Sequence, residues 1–181
     1  MLVAILSKKW LRGIANGDAA HFHRTIKSVC DRHDASFYPR FKKWCDEYFY
    51  LPHRGEARGV GGIFYDYLGR DDVGELVPAG AFQNEMTEHF LEAYLPIVER
   101  RAGERWSERE REFQLLRRGR YVEFNLIYDR GTQFGLQTKG RAESILMSLP
   151  PHVSWRYAYE PEPGSREAQL LAVLREPCEW V

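Results

Sequence analysis

Two short clusters carry residue types suited to binding and proton chemistry. The first is Asp129-Arg130, inside the polar turn signal Asp129-Arg130-Gly131-Thr132, and the second is Lys139-Gly140-Arg141. A guanidinium binds a carboxylate bidentately, and amides around a glycine can donate to an anion at close range. An aspartate among these cations can accept N–H donors. The set therefore suits a carboxylate-bearing ligand. The plainer alternative is a turn aspartate beside surface arginines. Among the histidines, His21 and His23 lie two apart on a helical segment, about 200° around its axis, and cannot jointly chelate. His23 and His53 form a candidate metal pair, but two nitrogens are an incomplete site. Structural or substrate-contacting histidines are the alternative. Gly59, Gly61 and Gly62 fall within a strand-like pattern with no helix opening after them, so they are no dinucleotide fingerprint.

The elements that position these residues follow from hydrophobic spacing. Asp18 can N-cap a helix running to about His33, with Phe22, Ile26, Val29 and Cys30 on one face. A second helix starts near Pro39, with Phe41, Trp44, Cys45 and Tyr48 as its stripe. Arg58–Tyr65 combines glycines with β-formers and predicts a strand, and Gly69–Gly80 predicts a polar, disordered loop. A long helix is expected over Phe82–Arg101. Ser107 and Glu110 make a capping box for a helix ending near Gly119. The eight Arg and five Glu of Glu99–Arg120 interleave as on a solvated helix face. Arg120–Tyr128 alternates Val122, Phe124, Leu126 and Tyr128 with Tyr121, Glu123, Asn125 and Ile127, and Gln133–Thr138 predicts a return strand. Together they read as a hairpin. Val153–Tyr159 resembles an edge strand, and Ser165 opens a last helix to about Arg175. Strands mix with helices without βαβ alternation, so the expected class is α+β with an antiparallel sheet. A hairpin runs its return strand away from Asp129, so Arg141 reaches the same site only through a neighbouring loop or a second subunit.

Composition bounds the function. Lys+Arg and Asp+Glu both number 26 in 181 residues, which argues against bulk capture of nucleic acid but leaves a local anion site open. No apolar run is long enough for a membrane span, and Met1–Trp10 is a poor signal peptide. Three cysteines without metal spacing predict free thiols in a reducing, cytoplasmic setting.

The wording of three segments goes further. Residues 48–64 (Tyr48 to Phe64, through Pro52-His53-Arg54-Gly55-Glu56), 118–132 (Arg118 to Thr132, through Tyr121-Val122-Glu123-Phe124-Asn125) and 143–151 (Glu143 to Pro151) resemble the signatures of oxygen-dependent coproporphyrinogen III oxidases. The resemblance runs from about Ala20 to the C-terminus. It implies oxidative decarboxylation of two propionates of coproporphyrinogen III to vinyls in haem biosynthesis. Molecular oxygen is then the co-substrate, with no organic cofactor and, in some bacterial members, a divalent metal. The implied fold is a large antiparallel β-sheet flanked by helices, assembled as a homodimer, with Tyr121–Trp155 contributing to the dimer contact.

On this resemblance Asp129 faces the pyrrole nitrogens, Arg130 holds a propionate, and Lys139, Gly140 and Arg141 lie on the substrate loop. His23 and His53 match the positions of metal ligands. The family members are longer, so 18–181 reads as the C-terminal portion of one domain and 1–17 as a divergent segment. The upstream part that normally supplies a histidine, an Asn-Tyr-Arg contact and a Gly-rich stretch is not recognisable in Met1–Gly17. Lys139 stands where the family usually has Gly, and Tyr67 where it usually has Asp. Two other readings stay open: a catalytically incomplete remnant that keeps dimerisation or porphyrin binding, and a metal-dependent hydrolase built on His23 and His53.

Overall fold

A computed structural model describes residues 17–68, 76–176 and 178–181. The proposed divergent segment lies outside the described residues except for Gly17, as does most of the expected Gly69–Gly80 loop, whose residues 76–80 are helical. Among the described residues eight helices dominate: α1 (Asp18–His33), α2 (Phe37–Tyr48), α3 (Leu76–Glu88), α4 (Phe90–Ala102), α5 (Glu108–Ile127), α6 (Arg130–Gln137), α7 (Ala142–Leu146) and α8 (Arg166–Arg175). Among the described residues the only sheet is a two-stranded hairpin, β1 (Tyr50–Leu51) against β2 (Glu56–Ala57). The large antiparallel sheet expected from the sequence is therefore absent from the described residues, and the fold is helical rather than α+β.

The reversal has a local cause. The Ser107 hydroxyl accepts from the Glu110 amide and the Glu110 carboxylate returns to the Ser107 amide, so the capping box forms as its spacing predicts. The helix it opens does not stop at Gly119. It runs to Ile127 and absorbs the strand expected over Arg120–Tyr128. The buried face of α5 includes Phe113, Leu116, Arg117, Arg120, Glu123 and Phe124, at helical spacing. Three of those six are charged, so a hydrophobic pattern cannot register them. Gly119 is kept for close approach: a Cβ there would lie 2.6 Å from the Ser154 carbonyl oxygen. The expected return strand Gln133–Thr138 falls instead in α6 and the residue capping it. Asp129 accepts from the Thr132 amide at 2.8 Å, so Asp-Arg-Gly-Thr is a helix N-cap and not a hairpin turn. Arg58–Tyr65 and Val153–Tyr159 form no sheet pairing.

The N-terminal helices follow expectation more closely. Phe22, Ile26, Val29 and Cys30 of α1 pack with Phe37, Tyr38 and Phe41 of α2, Phe82 of α3, and Ala93 and Ile97 of α4. Gly17 (φ +75°), rather than Asp18, occupies the N-cap. Asp18 is buried in the first turn and accepts from Arg100 at 3.0 Å and Arg101 at 2.9 Å. The expected Phe82–Arg101 helix is two helices meeting at His89. A second core joins Ala19, Val60, Phe113 and Leu116 to Leu170, Leu171 and Leu174 of α8. A third joins Cys45, Phe49, Leu51 and Phe124, and it lies under the candidate site. The three cysteines are unbridged, with Cys30 and Cys45 buried.

Candidate active site

The hairpin β1–β2 packs against α5 through a run of buried charges. Arg117 donates to Glu56 at 2.5 Å and to the Ala57 carbonyl at 3.1 Å. Arg120 bridges Glu56 at 3.2 Å and Glu123 at 3.0 Å. Arg54 closes the set with two bonds to Glu123, at 3.0 and 2.8 Å. Burial alone pushes the Glu123 carboxyl up, but the Arg54 hydrogen bonds and the Arg120 charge outweigh it and hold it below the usual 4.5. The solvated face expected over Glu99–Arg120 is thus corrected at Arg101, Arg117 and Arg120, which are buried and paired.

Beside this cluster, Tyr48, Phe49, Arg58, Phe64, Asp66, Tyr121, Asn125, Asp129 and Arg130 surround a cleft of about 360 Å³. Its aromatic wall is built by the C-terminal end of α2 and the extended chain after β2. Tyr48 and Phe64 stack at 4.7 Å and 14°, and Phe49 meets Phe64 and Phe124 at 5.1 Å. Arg58 is 3% exposed, with its guanidinium 4.0 Å from the Phe49 ring and 4.4 Å from that of Phe124. Burial pulls it down to about 10, opposed by Tyr121, Cys45 and Asp129, so it is a cation at neutral pH.

Asp129 is half-buried where α5 ends and α6 begins. Its Oδ2 accepts the Thr132 amide at 2.8 Å and hydroxyl at 2.9 Å, whereas Oδ1 has no hydrogen-bond partner among the described residues. Arg130 follows on the rim. Its amide and Nε donate to the Tyr48 hydroxyl at 3.3 and 3.5 Å, and Nη2 reaches Asp66 at 3.4 Å. The Tyr48 hydrogen bond holds the guanidinium above its usual value. The cleft therefore offers two cations, a carboxylate with a free oxygen, and flat apolar walls. Its residue types are chemically suited to a ring system carrying carboxylates.

The remaining sequence-predicted residues are elsewhere. Lys139, Gly140 and Arg141 are exposed beyond the C-terminal end of α6, about 12 Å of helix from Asp129. Gly140 is required there: its amide donates to Gly135 O at 2.8 Å, and a Cβ would come within 2.7 Å of the same oxygen. Lys139 has φ +57°, as does Tyr67, so both departures from the family pattern fall on left-handed backbone that favours Gly or Asp. His23 and His53 share no partner. His23 is buried, bonds Tyr38 through Nδ1 at 2.9 Å and stacks on Trp180, and its Nε2 has no partner among the described residues. Burial, then the Lys42 charge, lowers it to about 3, so it is a neutral imidazole. His53 has both nitrogens engaged, by Tyr128 at 2.9 Å and Glu123 at 3.0 Å. Among the described residues no group of three or more His, Cys, Asp or Glu is arranged to hold a metal. The two histidines do not fit a shared ion.

Arg58, Tyr48 and Asp66 were not singled out by type or spacing. The available signal for Arg58 was a lone cation between Ala57 and Gly59 in an otherwise apolar, glycine-rich run. No helix among the described residues is long and apolar enough to cross a membrane. The sequence model of coproporphyrinogen III oxidase matches residues 13–180, which take in the cleft, the charge cluster and the α6–α7 loop. The chain belongs to the coproporphyrinogen III oxidase family.

Proposed function

We propose that the chain catalyses oxygen-dependent oxidative decarboxylation of two propionates of coproporphyrinogen III, giving the two vinyls of protoporphyrinogen IX. The observation that carries this reading is the convergence of Arg58, Arg130 and Asp129 on one aromatic-walled cleft. At each propionate the carboxyl carbon leaves as CO2 and the ring-side methylene loses a hydride equivalent. The two electrons and two protons convert O2 to H2O2, so no organic cofactor is called for. Arg130 on the rim and Arg58 on the floor hold propionates, and both keep their charge at neutral pH. Asp129 Oδ1 accepts a pyrrole N–H, takes its proton while that pyrrole's side chain is oxidised by O2, and returns it once CO2 has left, so the ring's own oxidation level is unchanged. His23 and His53 enter no step.

The same reading includes a cytoplasmic homodimer. Helices α6 and α7 bury no residue, and Leu126, Ile127, Phe134, Met147 and Trp155 are exposed along the Tyr121–Trp155 stretch. A second copy on this face would remove apolar surface from water and bring another subunit's loop toward the far end of α6.

Incubation with coproporphyrinogen III in air, corrected for autoxidation, tests the activity. Protoporphyrinogen with matching O2 uptake is the expected result, and its absence rejects the enzyme. The remnant reading has one observation in its favour, the separation of Lys139-Gly140-Arg141 from Asp129. It predicts retained coproporphyrin binding with no product.

A further inference from the structure

The stripe that builds α2 into the core ends on a residue that core packing does not fully use. Tyr48 is half-buried, and its ring is sandwiched: one face stacks on Phe64 at 4.7 Å, and the Arg130 guanidinium lies 5.0 Å from its centroid. Its hydroxyl oxygen accepts from two donors of one residue, the Arg130 amide and Nε. A phenol has one hydrogen besides its two lone pairs. Among the described residues no acceptor takes that hydrogen.

The position of Asp66 shows what the hydrogen meets. Nε and Nη2 are the two donors along one edge of the guanidinium fork. Tyr48 occupies Nε, and the Asp66 carboxylate occupies Nη2 at 3.4 Å. A ligand carboxylate that replaces Asp66 on Nη2 directs its second oxygen along the same edge, beside the Tyr48 hydroxyl. There the phenol keeps its bond from Nε and turns its hydrogen onto the ligand.

We propose that Tyr48 is a binding and positioning residue of this cleft: it orients Arg130 by stacking and by accepting its N–H groups, and donates its O–H to the carboxylate that Arg130 holds. This deepens the reading of the cleft as a propionate site and rests on it. Arg130 with Tyr48 is then a composite receptor, selective for an ionised carboxylate over its ester. A guanidinium alone discriminates by charge. The added O–H needs an acceptor at a defined position.

The test is fluorescence titration of the full chain with coproporphyrin III, the oxidised ring that binds without reacting, and with its tetramethyl ester. Tyr48→Phe keeps the ring, the stack and the fold, which an unchanged melting temperature verifies. It is expected to weaken coproporphyrin III binding about tenfold, the value of a hydrogen bond to a charged group. Ester binding stays within about twofold of the parent. Tyr48→Leu, which also removes the stack, loses more. Protection of Arg130 from phenylglyoxal by glutarate is followed in parallel. Unchanged coproporphyrin III affinity in Tyr48→Phe, or equal loss for acid and ester, overturns the inference while leaving the propionate reading intact. If the parent binds no coproporphyrin III but glutarate protects Arg130 less in Tyr48→Phe, the substrate reading falls and the role of Tyr48 stands. If neither ligand depends on Tyr48, the inference is rejected outright.

Discussion

Two clusters of arginines and carboxylates, one between the hairpin and α5 and one around the cleft where α5 gives way to α6, are built from the same residue types but differ in how far their charges are satisfied. In the Glu56–Arg117–Arg120–Glu123–Arg54 cluster the carboxylates are consumed by guanidinium partners inside the fold, and the Arg117–Glu56 pair is 2% and 7% exposed. In the cleft, Arg130 and Asp66 are 57% and 45% exposed, and Asp129 keeps one oxygen free. Charge and residue identity are shared between them. The difference is the number of unused donors and acceptors facing solvent, and that number separates a structural cluster from a binding one.

The contrast breaks most visibly at Glu56. Glu56→Ala strands Arg117 in the interior, and chemical denaturation should show a loss of about 3–5 kcal/mol. Arg130→Ala should leave the unfolding midpoint in place. Equal shifts would erase the distinction.

Asp129 sharpens the other side. Asn caps a helix as well as Asp does, so Asp129→Asn should preserve the midpoint yet lower kcat/KM by about a hundredfold or more. Asp129→Ala should add about 1 kcal/mol of destabilisation. A fully active Asp129→Asn would remove proton transfer from the cleft.

A third group, His23, belongs to neither cluster, being buried with only one nitrogen satisfied. Its folded value near 3 lies below the unfolded 6.5, so between them the unfolded chain binds more protons. Stability is complete above pH 6.5 and drops by about 1.4 kcal/mol per unit on acidification below it. His23→Gln should flatten that limb of the stability profile; an unaltered slope would assign it to other groups.

Smaller effects test the backbone and the rim. Lys139→Gly and Tyr67→Asp relieve left-handed strain, and each should raise stability by about 1 kcal/mol in thermal unfolding. Unchanged melting temperatures would mean that neither residue is strained. Asp66→Asn removes the internal competitor for Arg130 and should tighten coproporphyrin III binding about two- to fivefold. Weaker binding instead would make Asp66 a ligand contact.

Amphipathic spacing and capping chemistry made α1, α2, the start of α5 and α8 legible, because each announces itself within one turn of chain. The long reach of α5 was not legible. Three of its nine buried residues are charged, and the alternation of Val122 with Phe124 and of Leu126 with Tyr128 satisfies a strand as readily as a helix. Arg130, which the structure places on the cleft rim, was legible as a candidate anion binder from its type. Arg58 and Tyr48 were not, since nothing in their spacing tells a cation under aromatic rings from a surface arginine, or a rim phenol from a core one.

The sequence by itself determined the family and the capped starts of α5 and α8, and it marked Asp129 and Arg130 as candidates, because these depend on residue identity and on neighbours a few positions away. The tertiary structure decided which arginines are spent on buried carboxylates and which line the cleft. It also decided that Asp129 caps a helix while offering an oxygen, and that α6 holds Arg141 away from it. Partners 60 or more residues apart, as Arg117 and Glu56 are, meet only when the chain packs. Where the low-dielectric interior leaves a charge no water, packing alone settles its role.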